Sequence, residues 1–303
     1  MTAKGSGAFN TTDPFVQITF TFGDGQAWPA RDEHYVQIDN LSYSRPAIYV
    51  SATGNDGNDG KSVERSFKTI QKAIDVATAG DIIMVGAGEY SNNYGLASFH
   101  KSGKPAAWIV LRNLPGQKPV LRSTGWNCLK IGRGDRKNIS SEPATAYIEI
   151  RGLTLRGYDK EIEQKYKDKI GKIEGETNGN GISIDGRFQH NKPHHVRIAD
   201  CEVYEFPGGG ISVIHGDRVS IENNHVYENC HWTVFAGSGI SIYQPFNFEA
   251  NTNGYRMLVR SNTAHDNFCT QPWVETGALS DGNGLIFDDY RNLQNQSTNG
   301  VYS

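Results

Sequence analysis

The residue types best suited to chemistry cluster near the end of the chain. Asp288 and Asp289 are adjacent, and Tyr290 and Arg291 follow them directly. Paired carboxylates can bind a cation or transfer protons, a tyrosine can exchange a proton, and an arginine can grip an anionic group at two points. These side chains can form a site only if the fold brings others beside them.

A repeated phrase indicates which residues those are. Its second residue is glycine, after which apolar residues alternate with others, at 180–185, 209–214, 238–243 and 283–288. The leading glycines are 29, 29 and 45 residues apart, and a fainter copy occupies 127–132. The alternation predicts strands with one buried face, and the recurring period predicts stacked repeats.

Stacking these strands places their side chains in columns. The outward column contains Lys130, Ser183, Ser212, Ser241 and Ile286. Two residues further along, a second column contains Gly132, Asp185, Ile214, Tyr243 and Asp288, and the corner beyond it adds His215, Gln244 and Asp289. The stack therefore predicts that His215, Tyr243 and Asp289 lie along one flank of the molecule.

A second phrase repeats out of phase, at 146–155, 195–203, 218–226 and 257–264. It aligns two apolar columns, namely Ile150, Ile198, Ile221, Val259 and Leu155, Val203, Val226, Ala264. Asn224 and Asn262 share the bend between the columns and, with Asn223, are predicted to bond to the backbone inside the corners. Three short strands per turn predict a coil of parallel strands about 4.8 Å apart.

Residues 47–291 resemble the right-handed parallel β-helix proteins of the pectate-lyase-like superfamily. The resemblance is carried by the repeats and by the N-terminal segments 48–57, 67–74 and 80–90. It implies an all-β fold of three-strand coils, with a glycan lying along the glycine-led strands. The superfamily contains lyases, hydrolases, epimerases and binding proteins, so activity must be argued from the site.

The sequence predicts two regions, 1–46 and 47–303. Alternating residues in the first predict a β-strand extension along the coil or, alternatively, the end of a carbohydrate-binding sandwich module. An amphipathic helix after Ser66, ending at Gly80, would cap the first coil. Because no capping element follows the last strand, we expect further coils, self-association or another domain to cover the C-terminal end.

The net charge and the apolar runs of the sequence argue against nucleic acid and membrane as partners. A net charge of −3 provides no overall basic field for nucleic acid, and no apolar run is long enough to cross a membrane. The first residues lack the apolar core of a signal peptide, so either a signal was trimmed or the protein stays inside the cell; the resemblance favours a secreted or periplasmic location. Cys128 and Cys201 read as core residues, whereas Cys230 and Cys269 follow equivalent strands and could form a disulfide.

Insertions lengthen the turns that lead into the glycine-led strands. Residues 158–178 are highly charged, 229–238 carry Trp232 and Phe235, and 268–283 carry Trp273. Because the insertions enter the same strands, they should overhang the same face. Long loops beside a strand stack are often functional, so we expect a cleft with aromatic walls.

The resemblance implies chemistry for this cleft. A polysaccharide lyase must neutralise a uronate carboxylate, remove the C5 proton and protonate the leaving oxygen. We assign proton transfer to His215 or Tyr243, Ca²⁺ or charge pairing to Asp288 and Asp289, and carboxylate binding to Arg291. Substrate contacts are assigned to Lys130, Gln244, Tyr290, Trp232 and Trp273, with Lys130 also a candidate base.

Each assignment has a structural alternative. His215 could simply form a corner hydrogen bond, Tyr243 could stack on aromatic neighbours, and Asp289–Arg291 and Asp185–Arg187 could be surface ion pairs. Complete family signatures are missing, since Asp185 and Asp288 lie three coils, about 14 Å, apart. β-Elimination on an acidic glycan is therefore the leading hypothesis, hydrolysis through Asp288 or Asp289 the second, and a non-catalytic glycan-binding or structural solenoid the third.

Overall fold

The computed structural model describes residues 47–132, 143–158, 160–162, 173–187, 190–251 and 253–290. Within these ranges, the strands form three sheets in which every neighbouring pair is parallel. From the second strand onward the chain visits the three sheets in rotation, one strand each per coil, whereas the first two strands, on either side of a short helix, both belong to the first sheet. The molecule is therefore a right-handed parallel β-helix, as predicted; the predicted extension at 1–46 and Arg291 lie outside the described residues.

The first sheet runs along the helix axis from the N-terminal coil. It consists of β1 (Ala47–Val50), β2 (Ile82–Val85), β5 (Ile109–Asn113), β8 (Ala146–Arg151), β11 (His194–Ala199), β14 (Asp217–Glu222) and β17 (Met257–Arg260).

The other two sheets complete each coil. The second consists of β3 (Gly88–Asn92), β6 (Pro119–Ser123), β9 (Thr154–Arg156), β12 (Glu202–Tyr204), β15 (His225–Tyr227) and β18 (Thr263–His265). The third consists of β4 (Ala97–Phe99), β7 (Asn127–Ile131), β10 (Asn180–Asp185), β13 (Ile211–Ile214), β16 (Ile240–Tyr243) and β19 (Leu285–Asp288).

The core is a set of apolar ladders inside the coil. Ile150, Ile198 and Ile221 pair in register and continue to Val259, and a second ladder joins Leu155, Val203, Val226 and Ala264. Ile150 and Ile198 are fully buried, whereas Leu285 of the last strand is 43% exposed. The alternation in the sequence therefore predicted the register correctly, because a one-residue slip would turn each ladder outward.

Asparagine ladders hold the corners together. The side chain of Asn224 accepts from the backbone of Cys201 at 3.0 Å and donates to Asn262 at 2.9 Å, as predicted. A second ladder, which the sequence did not reveal, joins Asn229 to Asn267 at 2.9 Å. Asn223 is not part of the ladder, since it is the left-handed corner residue itself, with φ of 56°.

The capping helix is shorter than predicted. α1 spans Ile70–Val76, and its N-cap is Thr69, whose side chain accepts from the Lys72 amide at 3.2 Å. Ser66 does not start the helix, because Asp56 accepts the amide hydrogens of Lys68 and Thr69 and holds them outside it. The apolar face of α1 is buried over the first coil, as the end of a solenoid requires. No helix in the described ranges is long and apolar enough to span a membrane.

Candidate functional site

A groove of about 1050 Å³ runs along the outer face of the third sheet. Its floor consists of side chains from successive strands of the glycine-led phrase. Lys130, Ser212, Ser241 and Ile286 form one row, and Asp185, Ile214, Tyr243 and Asp288 form the next. The two columns predicted from the repeat therefore face one groove.

The predicted insertions form the walls. The short helix α2 (Gly175–Asn178) ends in Asn178, whose side-chain oxygen accepts from the Val234 amide at 2.9 Å and from the Thr233 hydroxyl at 3.1 Å. Val234 in turn accepts a backbone hydrogen bond from Val274 at 2.9 Å. The three insertions therefore support one another beside the strand stack.

Aromatic side chains line these walls at both ends. Trp126 precedes β7, is 47% exposed and lies 6.2 Å from Phe235 between ring centroids. Trp273 lies in the wall further along the groove. Flat, partly exposed rings present surfaces that can pack on the C–H faces of sugar rings while hydroxyl groups bond to polar neighbours.

One end of the groove contains a buried ion network. Oδ2 of Asp185 is 3.3 Å from Nζ of Lys130, and Arg187 donates two hydrogen bonds of 3.1 Å to the same carboxylate. Burial acts to raise the pKa of Asp185, but the bonds and charge of Arg187, together with Lys130, outweigh it and lower that pKa. The expected Asp185–Arg187 pair forms, but it is not a surface pair at the carboxylate, since Asp185 is only 2% exposed.

The other end of the groove is acidic. Glu275, Asp281, Asp288 and Asp289 line it together with Tyr243. Burial and the nearby charge of Asp288 raise the pKa of Asp281. Burial, followed by the charges of Asp289 and Asp288, raises the pKa of Tyr243, so this hydroxyl is a proton donor at neutral pH.

The charges do not balance across the groove. Two cationic side chains, Lys130 and Arg187, line it against five carboxylates, including Asp185. The surplus of negative charge lies at the end that contains Asp288. A uronate there would meet repulsion unless a cation accompanied it.

His215, Gln244 and Asp289 occupy the same left-handed corner position in successive coils, with φ of 57°, 45° and 46°. Nε2 of His215 lies 3.0 Å from Oε1 of Gln244, and Nε2 of Gln244 donates to Asp289 at 3.2 Å. Burial lowers the pKa of His215, so the ring is neutral at pH 7. This chain of hydrogen bonds positions Asp289.

The residues predicted to form the site fall into two groups, those that line the groove and those that do not. Lys130, Tyr243, Trp273, Asp288 and Asp289 line the groove, whereas His215, Gln244, Trp232 and Tyr290 are not among its lining residues. Arg291 lies outside the described residues.

The lining residues that had been assigned no functional role include Trp126, Arg187, Glu275 and Asp281. Trp126 stands immediately before the faintest copy of the repeat, Arg187 follows Gly186 just after the end of β10, and Asp281 lies in an aperiodic insertion. The sequence offered a signal for two of them, since Trp126 stands beside a repeat and Asp281 lies close in sequence to Asp288 and Asp289.

Ca²⁺ prefers six to eight oxygen ligands, and the acidic end offers carboxylate oxygens of that kind. In the ranges that the structure describes, however, no three His, Cys, Asp or Glu side chains converge as a metal site. Ca²⁺ at Asp288 and Asp289 therefore stays a prediction.

Comparison with known proteins gives a fold-level picture. Residues 52–97 match the family described as a protein of unknown function, DUF1565. No curated protein matches the chain. Among solved structures, XylC in complex with xylose is 13% identical, with 73% of this chain and 58% of that chain covered at a TM-score of 0.44.

Two further structures are similar at the same level. The alginate lyase from Paenibacillus sp. str. FPU-7 is 16% identical, with 80% and 67% of the two chains covered and a TM-score of 0.43. The GH136 lacto-N-biosidase from Eubacterium ramulus is 15% identical, with 74% and 45% covered and a TM-score of 0.42. This chain thus spans little more than half of XylC and less than half of the biosidase. With its three parallel sheets wound coil upon coil, the chain is a right-handed parallel β-helix.

Proposed function

We propose that the groove binds an extended glycan and hydrolyses a glycosidic bond at its acidic end. The observation that carries this proposal is the pair Asp281 and Asp288, two carboxyl groups that line the groove. The pKa of Asp281 is raised by burial and by the nearby charge of Asp288. Hydrolysis needs two carboxyl groups, one of which must keep its proton until the leaving oxygen takes it, and a raised pKa suits Asp281 to that role.

In this mechanism Asp281 is the general acid that protonates the departing glycosidic oxygen. Asp288 supplies the second carboxyl group, which either attacks the anomeric carbon or activates a water molecule for that attack. Tyr243 stands next to Asp288 on the floor and, as a neutral hydroxyl, can donate to a sugar oxygen or to a carboxylate. Asp289, positioned by Gln244, adds negative charge that favours an oxocarbenium-like transition state.

The charge distribution favours a neutral glycan over an acidic one. The carboxylates beside the reacting bond would stabilise developing positive charge on the sugar and oppose a bound uronate. The aromatic walls at Trp126, Phe235 and Trp273 supply stacking surfaces that require no charge.

β-Elimination on an acidic glycan is the second candidate, and one observation favours it. Lys130 and Arg187 are cations that face the groove. They could offset a uronate carboxylate, but Asp185 already pairs with both, so a bound uronate would have to compete with a buried carboxylate. Ca²⁺ at Asp288 and Asp289 would also serve this reaction. The secreted or periplasmic location stays a prediction.

The test is a substrate screen that measures two products at once. Neutral glycans, pectate, alginate and glycosaminoglycans are incubated with the protein, with and without EDTA. New reducing ends and the ultraviolet absorbance of unsaturated uronates are followed. If the proposal is right, a neutral glycan yields new reducing ends without ultraviolet absorbance, even in the presence of EDTA. The rate of that release should fall about 10²-fold or more in Asp281→Asn and Asp288→Asn.

A matched control is Asp266→Asn, since Asp266 directly follows β18 of the second sheet and is not among the groove's lining residues. Rising absorbance with an acidic glycan would show elimination and overturn hydrolysis. EDTA sensitivity of that signal would identify the cation-dependent form. Binding without either product would identify a glycan-binding solenoid.

A further inference from the structure

Cys230 and Cys269 meet beneath the groove wall. Cys230 directly follows Asn229, and Cys269 comes two residues after Asn267. The hydrogen bond of 2.9 Å between those asparagines sets the two coils in register. The register brings the cysteine side chains together, and the two thiols are joined by a hydrogen bond rather than by a disulfide.

The surrounding backbone holds the two thiols in place. Sγ of Cys269 donates to the carbonyl of Gly237 at 3.4 Å, and Sγ of Cys230 lies 3.4 Å from the position that a Cβ on Gly237 would take. The Gly282 amide donates to the same carbonyl at 2.8 Å. The loops 229–238 and 268–283 are therefore already bound together around the cysteines.

The two thiols differ in access. Cys230 is fully buried, whereas Cys269 is half-buried and can meet a small reagent. The pKa of the Cys269 thiol is lowered, chiefly by the hydrogen bond from Cys230 and further by the Gly237 backbone, although burial acts to raise it. An accessible thiol next to a buried one is the arrangement of an attacking and a resolving cysteine.

We propose that Cys230 and Cys269 are a reversible oxidation site, at which a small-molecule disulfide such as oxidised glutathione covalently joins the two loops that wall the groove. The Cys269 thiolate attacks one sulfur of the reagent, whose disulfide bond breaks, and one glutathione thiolate leaves. Cys230 then gives its proton to solvent and attacks Sγ of Cys269, and the second glutathione leaves. Two protein thiols are oxidised while one glutathione disulfide is reduced to two thiols.

The site is independent of the proposed hydrolysis. It depends only on the contact between two side chains on neighbouring coils. A bond there closes a loop between residues 230 and 269, and a loop of this size is expected to raise the melting temperature by about 5–10 °C. It also fixes the spacing between the wall segments that carry Phe235 and Trp273.

The test treats the fully reduced chain with oxidised glutathione and maps the sulfurs by mass spectrometry. Arg256 and Arg260 lie between the two cysteines, so trypsin places them on separate peptides. The expected result is a cross-linked Cys230–Cys269 peptide that dithiothreitol separates, together with the rise in melting temperature. Cys230→Ser should stop at a glutathione adduct on Cys269, and Cys269→Ser should form neither product.

Cys128→Ser is the matched control, because Cys128 is equally buried but lies in a different coil, and it should still form the cross-link. A wild-type chain that accumulates a stable adduct on Cys269 without cross-linking would overturn the proposal. So would cross-linking of Cys269 to Cys128 or Cys201 in its place. The wild-type measurement stands by itself if a variant fails to fold.

Discussion

Asp185 bonds to Lys130 from the neighbouring coil, with Oδ2 of the carboxylate 3.3 Å from Nζ of the lysine. Because the same carboxylate also accepts two hydrogen bonds from Arg187, it engages both cations of the groove. This relationship leaves one net positive charge at that end. It also limits the use of Lys130 as a base, since its ammonium group is already engaged by a buried carboxylate.

Replacing Asp185 should destabilise the fold. Asp185→Asn is expected to cost about 2 kcal/mol at pH 7, because a buried charge partner of two cations is lost. The pKa of Asp185 is lowered in the folded chain, so its contribution is present above its ordinary pKa of 3.8 and disappears as the pH falls below that value. Urea unfolding at pH 7 and pH 3 measures this. Asp289→Asn, at an exposed position, is the control; equal stabilities of the two variants at pH 7 would contradict the network.

The pKa of Asp281 should be higher than that of an ordinary aspartate, and the nearby charge of Asp288 should contribute to the rise. Carbon-13 NMR of the side-chain carboxyl groups is expected to show a pKa for Asp281 above 3.8, which falls in Asp288→Asn but hardly changes in Glu275→Gln. A pKa raised by folding destabilises the folded chain at pH values above it. Asp281→Asn should therefore stabilise the protein at pH 7 and not in acid. An unchanged Asp281 titration in Asp288→Asn would remove the basis for the proposed acid.

The newly found asparagine ladder should be essential to the corners. Asn229 is fully buried; it accepts from the Phe206 amide at 3.0 Å and donates to the Val203 carbonyl at 3.1 Å. Asn229→Ala leaves both groups without their partner and is expected to cost about 3 kcal/mol. Asn223→Gly is the control, since glycine accepts the left-handed φ there. Chemical denaturation should separate the two variants, and a loss below that of the control would argue against the ladder.

Acid should weaken the fold through His194. Burial, followed by the nearby His195, lowers the pKa of His194 to about 3, and its ring stacks on Phe248 at 3.6 Å. The unfolded chain takes up this proton near pH 6.5, so stability should fall as the pH drops from 6.5 towards 3. His194→Phe keeps an aromatic ring and should flatten that fall. His100→Phe, which removes an exposed histidine, is the control. If the unfolding free energy of His194→Phe falls with pH as steeply as that of His100→Phe, the pH dependence does not arise from His194.

Two tryptophans of the wall segments should differ in glycan binding. Trp273 lines the groove and Trp232 does not, although both lie in the insertions predicted to flank it. Trp273→Ala is expected to weaken binding about tenfold, the loss of one stacking contact, while Trp232→Ala should retain the wild-type Kd. Calorimetric titration with the glycan that the screen identifies measures both. Equal losses would mean that the wall acts through its overall shape rather than through one ring.

The repeat by itself determined the coil and its register. Alternating residues in 182–184, 211–213 and 240–242 permit only one face to be buried, so Ser212 and Ser241 had to stack on the outside and Ile211 and Ile240 on the inside. That local rule was enough to place Lys130, Tyr243 and Asp288 along one groove.

The tertiary structure alone decided how charges and loops meet in that groove. Asp281 and Trp273 lie in an insertion without a period, so their paths depend on packing against the neighbouring loop. The start of α1 likewise depended on Asp56, more than ten residues away, which captures the amides that the local pattern assigned to the helix. Periodicity fixes what each strand must bury, whereas pairings between loops are set by side chains that meet only once the coil has closed.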